Sequence, residues 1–362
     1  MYRRPSKRRE TVVRVPREGL RLEELYRAYY SLRPPIREPD HIERREFAFQ
    51  YFGSDTYHRH LSFQSIEEVI DYMIENPPRQ AYYSVAIYEL PEAKNMEEKG
   101  WLGSDLFFDI DVDHLPGCDT PLPTTECIME GLRLALRIKA IARRDLGAEE
   151  THIYYTGHRG FHIVVDCGEE CKKLGRDERR EIARYVSAED LDLNVIFPEP
   201  RGRGLEPALP GEGEPGWRGW IAEALGGKRG GAISVLGRGW REKILELVGD
   251  LRVEIDHQVT QDPSRLLRLE GSLNGKASLL AVPVREGWRP HIRDLSPFHG
   301  SVTVRCNSDI PRGDYLGFHG GLREGEEASL PAGAGVLLHT KGLCRVVEGE
   351  LVVRAGPGWR GI

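Results

Sequence analysis

Trp101-Leu-Gly-Ser-Asp-Leu-Phe-Phe-Asp-Ile-Asp-Val-Asp-His114 is the stretch on which the reading of this chain turns. From Leu106 to Asp111 the pattern has the period of a strand. Leu106, Phe108 and Ile110 fall on one face, and Asp109 and Asp111 share the other. Two carboxylates held about 7 Å apart at their Cβ atoms by strand geometry can share divalent cations. Fixed, hard oxygen ligands with room for phosphate oxygens are what two-metal phosphoryl transfer needs. The plain alternative is a strand end whose acids point into water. The apolar neighbours argue against it, because acids embedded in such a strand are costly unless they bind something. A third acid is available at Asp256, with Glu254 and Asp262 as competitors, and the pattern alone does not choose among them.

Two further segments carry donors suited to phosphate. Tyr155-Thr-Gly-His-Arg-Gly-Phe-His162 joins two apolar runs, 151–156 and 160–166, that read as strands. Gly157 and Gly160 permit a tight turn and close backbone approach, while Thr156, His158, Arg159 and His162 supply donors. Arg265-Leu-Leu-Arg-Leu-Glu-Gly-Ser-Leu-Asn-Gly-Lys276 is the second. Its Arg265, Arg268, Ser272, Asn274 and Lys276 could clamp a triphosphate.

Around these, helices are expected at 21–32, from Ser65 (a capping box with Glu68), at 128–146, 177–187 and 240–248. Strands are expected at 45–52, 57–63, 82–88, 251–256 and 278–284. Residues 198–239 are rich in Gly and Pro without a steady period and read as a mobile insertion holding one short helix near Trp220. After about residue 296 the chain is Gly-rich, with short β-like runs at 301–305 and 344–353. Mixed elements without strict βαβ alternation make this an α+β chain, read as a single domain over 1–362.

The chain has 362 residues, 40% of them hydrophobic, enough for a real core. Its net charge of −6 excludes a general DNA-coating protein, so any nucleic-acid binding must use local patches. The basic start, Arg3, Arg4, Lys7, Arg8 and Arg9, is one such patch. Without an apolar run long enough for a membrane, the expectation is a cytoplasmic protein with its six cysteines reduced.

Taken together and in order, the motifs resemble those of the catalytic small subunit of archaeal and eukaryotic DNA primases, over roughly residues 21–285. Besides the three segments above, Arg45-Glu-Phe-Ala-Phe49 with Arg59 and Ser62-Phe63, and Tyr82-Tyr-Ser-Val-Ala86, carry the likeness. The resemblance implies a mixed α/β catalytic domain whose β-sheets cradle an acidic metal site. It implies Asp109, Asp111 and Asp256 as catalytic ligands of Mg²⁺ or Mn²⁺. It makes Arg159, His162, Arg265, Arg268 and Lys276 the contacts of the incoming triphosphate, with Glu46, Arg59 and Tyr83 as nearby candidates, and the donors Thr156, His158 and Asn274 join them as nucleotide-binding candidates from the reading of the two segments. It also implies nucleoside triphosphates as substrates, a single-stranded DNA template and a large primase subunit as partner.

The chain departs from the family in two places. Asn274 stands where the family carries His. The zinc knuckle that follows the catalytic strand is reduced to His114, Cys118 and Cys127, with Glu130 in place of the last Cys. Structural zinc wants four good ligands, so 114–130 reads as a degenerate segment, and Cys167 and Cys171 as spectators. Two other classes compete with the primase reading. A two-metal nuclease or phosphohydrolase explains the acids but not the two basic motifs. A non-catalytic nucleic-acid-binding relative would tolerate Asn274 but has no use for intact acids.

Overall fold

The alternation that begins at Leu106 is realised as a strand over Leu106–Asp111, buried on its Leu106, Phe108 and Ile110 side. It is an edge of a four-stranded sheet ordered Val282–Pro283, Glu150–Tyr155, Gly160–Asp166, Leu106–Asp111. The pairing is antiparallel and sets Asp109 opposite His162, Asp111 opposite Gly160, and Tyr154 opposite His162. Helix Thr125–Asp145 covers the apolar face. Its Ile128, Leu132, Ala135 and Ile138 recur at helical spacing and are buried there, and Thr124 caps it by accepting from the Cys127 N–H.

The computed structural model describes residues 9–200, 206–211, 213–226 and 231–355. The described residues also form two further four-stranded antiparallel sheets. The first is ordered Leu266–Arg268, Gln80–Ser84, Phe47–Gln50, Tyr57–Leu61. The second is ordered Glu10–Arg14, Cys344–Arg354, Phe298–Cys306, Glu327–Pro331, with helix Ala332–Thr340 packed on it. Helices and antiparallel sheets in this mixture are α+β, as expected. No helix among the described residues is long and apolar enough to cross a membrane.

Several local expectations hold to within a residue or two. Ser65 caps helix Ile66–Glu75 by accepting from the Glu68 N–H, and the helix expected at 177–187 spans Arg176–Val186. Others need correction. There is no strand at 251–256: helix Trp240–Leu251 runs into an extended segment, and Asp256 caps a short helix, His257–Gln261. In the described part of 198–239 the short helix expected near Trp220 is present, and it belongs to a core that was not expected. Helix Gly216–Ala224 and the turn Ile233–Leu236 bury Trp217, Ile221 and Ile233 against Phe197, Ile244 and Val248 in a small core of their own. Sparse apolar residues without a period hid this core, because its contacts come from both sides of the segment.

The cysteines are not reduced. Cys118 is joined to Cys127, Cys167 to Cys171 and Cys306 to Cys344. Of the basic start, Arg3, Arg4, Lys7 and Arg8 lie outside the described residues.

Candidate active site

A cavity of about 260 Å³ opens on the Asp109 face of the central sheet. Asp109 and Asp111 line it together with Thr156, His158, Arg159 and His162 from the Gly-rich turn, and Arg265, Arg268, Asn274 and Lys276 from the second basic segment. Four cations thus share one concavity with two carboxylates, a local excess of positive charge in an acidic chain.

The turn comes this close because of its glycines. Gly157 has φ of +80°, and a Cβ on it would lie 2.6 Å from the Leu279 carbonyl oxygen. A Cβ on Gly160 would lie 2.6 Å from the Ile110 carbonyl oxygen, on the strand that carries both acids. The second segment is pinned to the turn by Asn274. Its Nδ2 donates to the Thr156 carbonyl (2.8 Å), and its Oδ1 accepts from the Lys276 N–H (3.0 Å). Asn274 is buried and lines the cavity; its Nδ2 ties the two loops together while its Oδ1 folds its own segment towards Lys276.

Burial and the charges of Asp111 and Asp256 push the Asp109 carboxyl up to about 7. Asp256 is therefore the third acid that Asp109 feels, although it is not among the cavity's lining residues. Its Oδ1 accepts from the Gln258 N–H (2.9 Å) and the Val259 N–H (3.3 Å). The competitors have other partners: Asp262 accepts from the Ser264 N–H and lies 3.5 Å from Arg265, and Glu254 pairs with Arg252 at 2.7 Å. Among the described residues no three of His, Cys, Asp and Glu converge closely enough to enclose a metal ion by themselves.

His162 Nε2 lies 3.8 Å from Asp109 Oδ1. On its other side, Tyr154 Oη is 2.9 Å from His162 Nδ1 and 2.9 Å from the Arg268 carbonyl oxygen. A carbonyl only accepts, so the single tyrosine proton goes to Arg268, and His162 must donate from Nδ1–H. Burial and Arg268 pull the His162 pKa down to about 3, which leaves a neutral ring with the Nε2 lone pair on the Asp109 side. His158 is likewise held neutral, its pKa drawn down to about 2 by burial and by Lys341, Arg159 and Lys276.

The guanidinium groups are only partly satisfied. Arg159 pairs with Asp113 and donates to the Thr120 carbonyl, and Arg268 donates to Tyr82 Oη at 2.6 Å with its head over that ring. Yet Arg159 Nε, Arg265 Nε and Arg268 Nη1 are buried with no hydrogen-bond partner among the described residues. Buried donors left without acceptors are expensive, and a phosphate oxygen would satisfy them.

Some expected residues are elsewhere. Arg59 does not line the cavity. Its guanidinium grips the fully buried Glu46 at 2.8 and 3.2 Å, in a cluster with Lys99. Tyr83 is set against Arg45, in a separate cavity. The zinc set is not assembled, because Cys118 and Cys127 are bonded to each other and Glu130 is held by Arg133. Conversely, the contacts of Tyr154 with His162 and of Asp113 with Arg159 were not legible in the sequence. Each depends on register or on a contact between segments far apart in the chain.

Paired acids on a strand facing a phosphate-sized cluster of cations define the class: a nucleotide-handling enzyme. Residues 108–286 match the family model described as DNA primase small subunit. The DNA primase small subunit PriS of Aeropyrum pernix is 50% identical, over 95% of this chain and 98% of its own. That of Staphylothermus marinus is 35% identical over 92% and 96%, and that of Sulfolobus acidocaldarius 36% over 88% and 92%. A loose likeness to a solved structure, the polymerase domain of Mycobacterium tuberculosis ligase D in complex with DNA, has a TM-score of 0.36 at 12% identity, over 73% of this chain and 79% of that one. The chain belongs to the DNA primase small subunit family, the catalytic primase subunits of DNA replication.

Proposed function

We propose that this cavity is the nucleotidyl-transfer site at which the chain joins nucleoside triphosphates on single-stranded DNA to begin a short RNA, or mixed RNA and DNA, primer. The observation that carries the reading is the charge layout. Asp109 and Asp111 share the cavity with Arg159, Arg265, Arg268 and Lys276; among the described residues Arg159 Nε and Arg268 Nη1 make no hydrogen bond, and Arg265 Nε has only Asp262 Oδ2 at 3.5 Å.

The donor set fits a divalent cation. Mg²⁺ is commonly held by one or two carboxylates, with substrate phosphates and water completing the shell, and hard carboxylate oxygens suit Mn²⁺ as well. The raised Asp109 carboxyl marks a cluster of acids whose mutual repulsion a cation relieves. Bound at Asp109 and Asp111, with Asp256 as third acid, such ions would polarise the attacking hydroxyl and screen charge on the phosphates. The arginines and Lys276 hold the triphosphate from several directions and stabilise the charge that shifts to the leaving pyrophosphate. Thr156 and Asn274 keep the two phosphate loops in register. In this reading residues 1–362 form one catalytic domain that works in the cytoplasm. The net charge of −6 favours sharing template binding with a large primase subunit.

The test is primer synthesis on single-stranded DNA with Mg²⁺ or Mn²⁺, run beside a nuclease assay on the same strand. Template-dependent incorporation that disappears in Asp111→Asn supports the proposal. Strand cleavage without incorporation would assign the acids to a phosphohydrolase instead.

A further inference from the structure

We propose that Lys341, from the C-terminal layer of the molecule, is a phosphate-binding residue of the active-site cavity. The inference rests on the reading of that cavity as a triphosphate site. Lys341 follows helix Ala332–Thr340, which packs on the C-terminal sheet and lies beyond the segment that matches the family model.

Two contacts bring the end of that helix to the site. Lys341 is not itself a lining residue of the cavity, but its Nζ lies 2.5 Å from Nε2 of His158, which is, so it stands directly behind the cavity wall. Thr340 Oγ1 lies 2.7 Å from Ser278 Oγ, two residues beyond Lys276. The helix end is thus docked on both phosphate loops at once. An ammonium group only donates, so His158 accepts at Nε2 and carries its ring proton on Nδ1. One Lys341 proton is used there, and two remain for another acceptor.

The charges around Lys341 point to an anion. It forms no ion pair with a carboxylate among the described residues, and the acid that acts on it, Asp113, is already held by Arg159. Burial first, and then the like charges of Arg159 and Lys276, draw its pKa down to about 8. A partly buried ammonium crowded by cations is unfavourable until an anion arrives. A triphosphate spans more than one donor group and would draw Lys276, Arg159 and Lys341 into a single charge-assisted network.

The experiment titrates ATP and AMP, in the presence of Mg²⁺, into the full-length chain and its Lys341→Gln, Lys341→Arg and Lys276→Gln variants. Lys341→Gln should bind ATP about tenfold more weakly, the loss of one charge-assisted hydrogen bond. AMP affinity should be unchanged, and Lys341→Arg should recover most of the loss. If Lys276→Gln weakens ATP binding and Lys341→Gln does not, Lys341 is only a structural contact of His158 and the inference fails alone. If neither variant weakens it, the triphosphate reading of the cavity fails as well. A second measurement needs no variant: acylation of Lys341 in the wild-type chain by an amine-reactive ester, mapped by mass spectrometry. Inorganic triphosphate should protect Lys341, and undiminished labelling at saturating triphosphate would overturn the proposal.

Discussion

Asp109 is the residue on which the chemistry and the stability of the chain pull in opposite directions. Its carboxyl titrates near 7 instead of near 4, so between those values the folded state binds a proton that the unfolded state has released. Stability without divalent ions should therefore fall as pH rises from 4 to 7 and stay low above that. Asp109→Asn removes the repulsion. At pH 8 without divalent ions it should be more stable than wild type by on the order of 1–3 kcal/mol, a difference that shrinks towards pH 4. Thermal melts at both pH values measure this, and Mn²⁺ should raise the melting temperature of wild type more than that of the variant. The same substitution should lower incorporation by more than about 10³-fold. A variant that melts below wild type at pH 8, or that synthesises primers normally, contradicts this account.

Tyr154 gives a subtler test at the same scale. Tyr154→Phe keeps the buried ring but removes the acceptor for His162 Nδ1–H and the donor to the Arg268 carbonyl. We expect a stability loss of about 1 kcal/mol and a roughly tenfold fall in kcat/KM, with a changed pH profile as His162 loses its fixed tautomer. Unaltered kinetics would show that His162 needs no orientation.

At the scale of elements, the Gly-rich turn works because it can press against the strand of the acids. Gly160→Ala sets a methyl 2.6 Å from the Ile110 carbonyl, backbone that cannot swing aside. It should cost about 1–3 kcal/mol and displace Asp111 from its place beside the turn. Chemical denaturation reads the first effect, and incorporation, which should fall further than stability alone explains, reads the second. Asn274→Ala should loosen the tie between the Gly-rich turn and the second basic segment. It should raise KM for the nucleotide several-fold with a smaller change in kcat, since one net hydrogen bond is worth about 1 kcal/mol. An unchanged KM would make the Asn274 tie irrelevant to nucleotide binding. Asn274 thus has a mechanical use in this chain, where the resemblance led one to expect a histidine.

Across the whole molecule, the last strand, Cys344–Arg354, lies between the first strand, Glu10–Arg14, and Phe298–Cys306, and Cys306 is bonded to Cys344 across the latter pair. That bond spans 38 residues and includes the helix that leads to Lys341. Closing such a loop stabilises a fold by about 2–4 kcal/mol. Treatment with a thiol reductant should therefore lower the melting temperature, and thiol titration before and after denaturation should find no free cysteine in the unreduced chain. Full reactivity of all six cysteines in the native chain would refute the three bridges.

Local patterns were enough to locate Asp109 and Asp111 on one strand face, the turn at Gly157 to Gly160, the capping box at Ser65 and the order of the motifs. Each depends on neighbours within a few residues, where strand period, glycine freedom and capping chemistry act directly. Choosing Asp256 over Asp262 needed the resemblance, and the folded chain then showed it capping a helix rather than ending a strand. Only the tertiary structure could set Tyr154 behind His162, hold Arg59 on Glu46, bond Cys118 to Cys127 and bring Lys341 to His158. The physical reason is that these contacts depend on strand register and on the docking of elements up to 183 residues apart. Both are decided by the burial of apolar faces summed over the whole core, which no local pattern records.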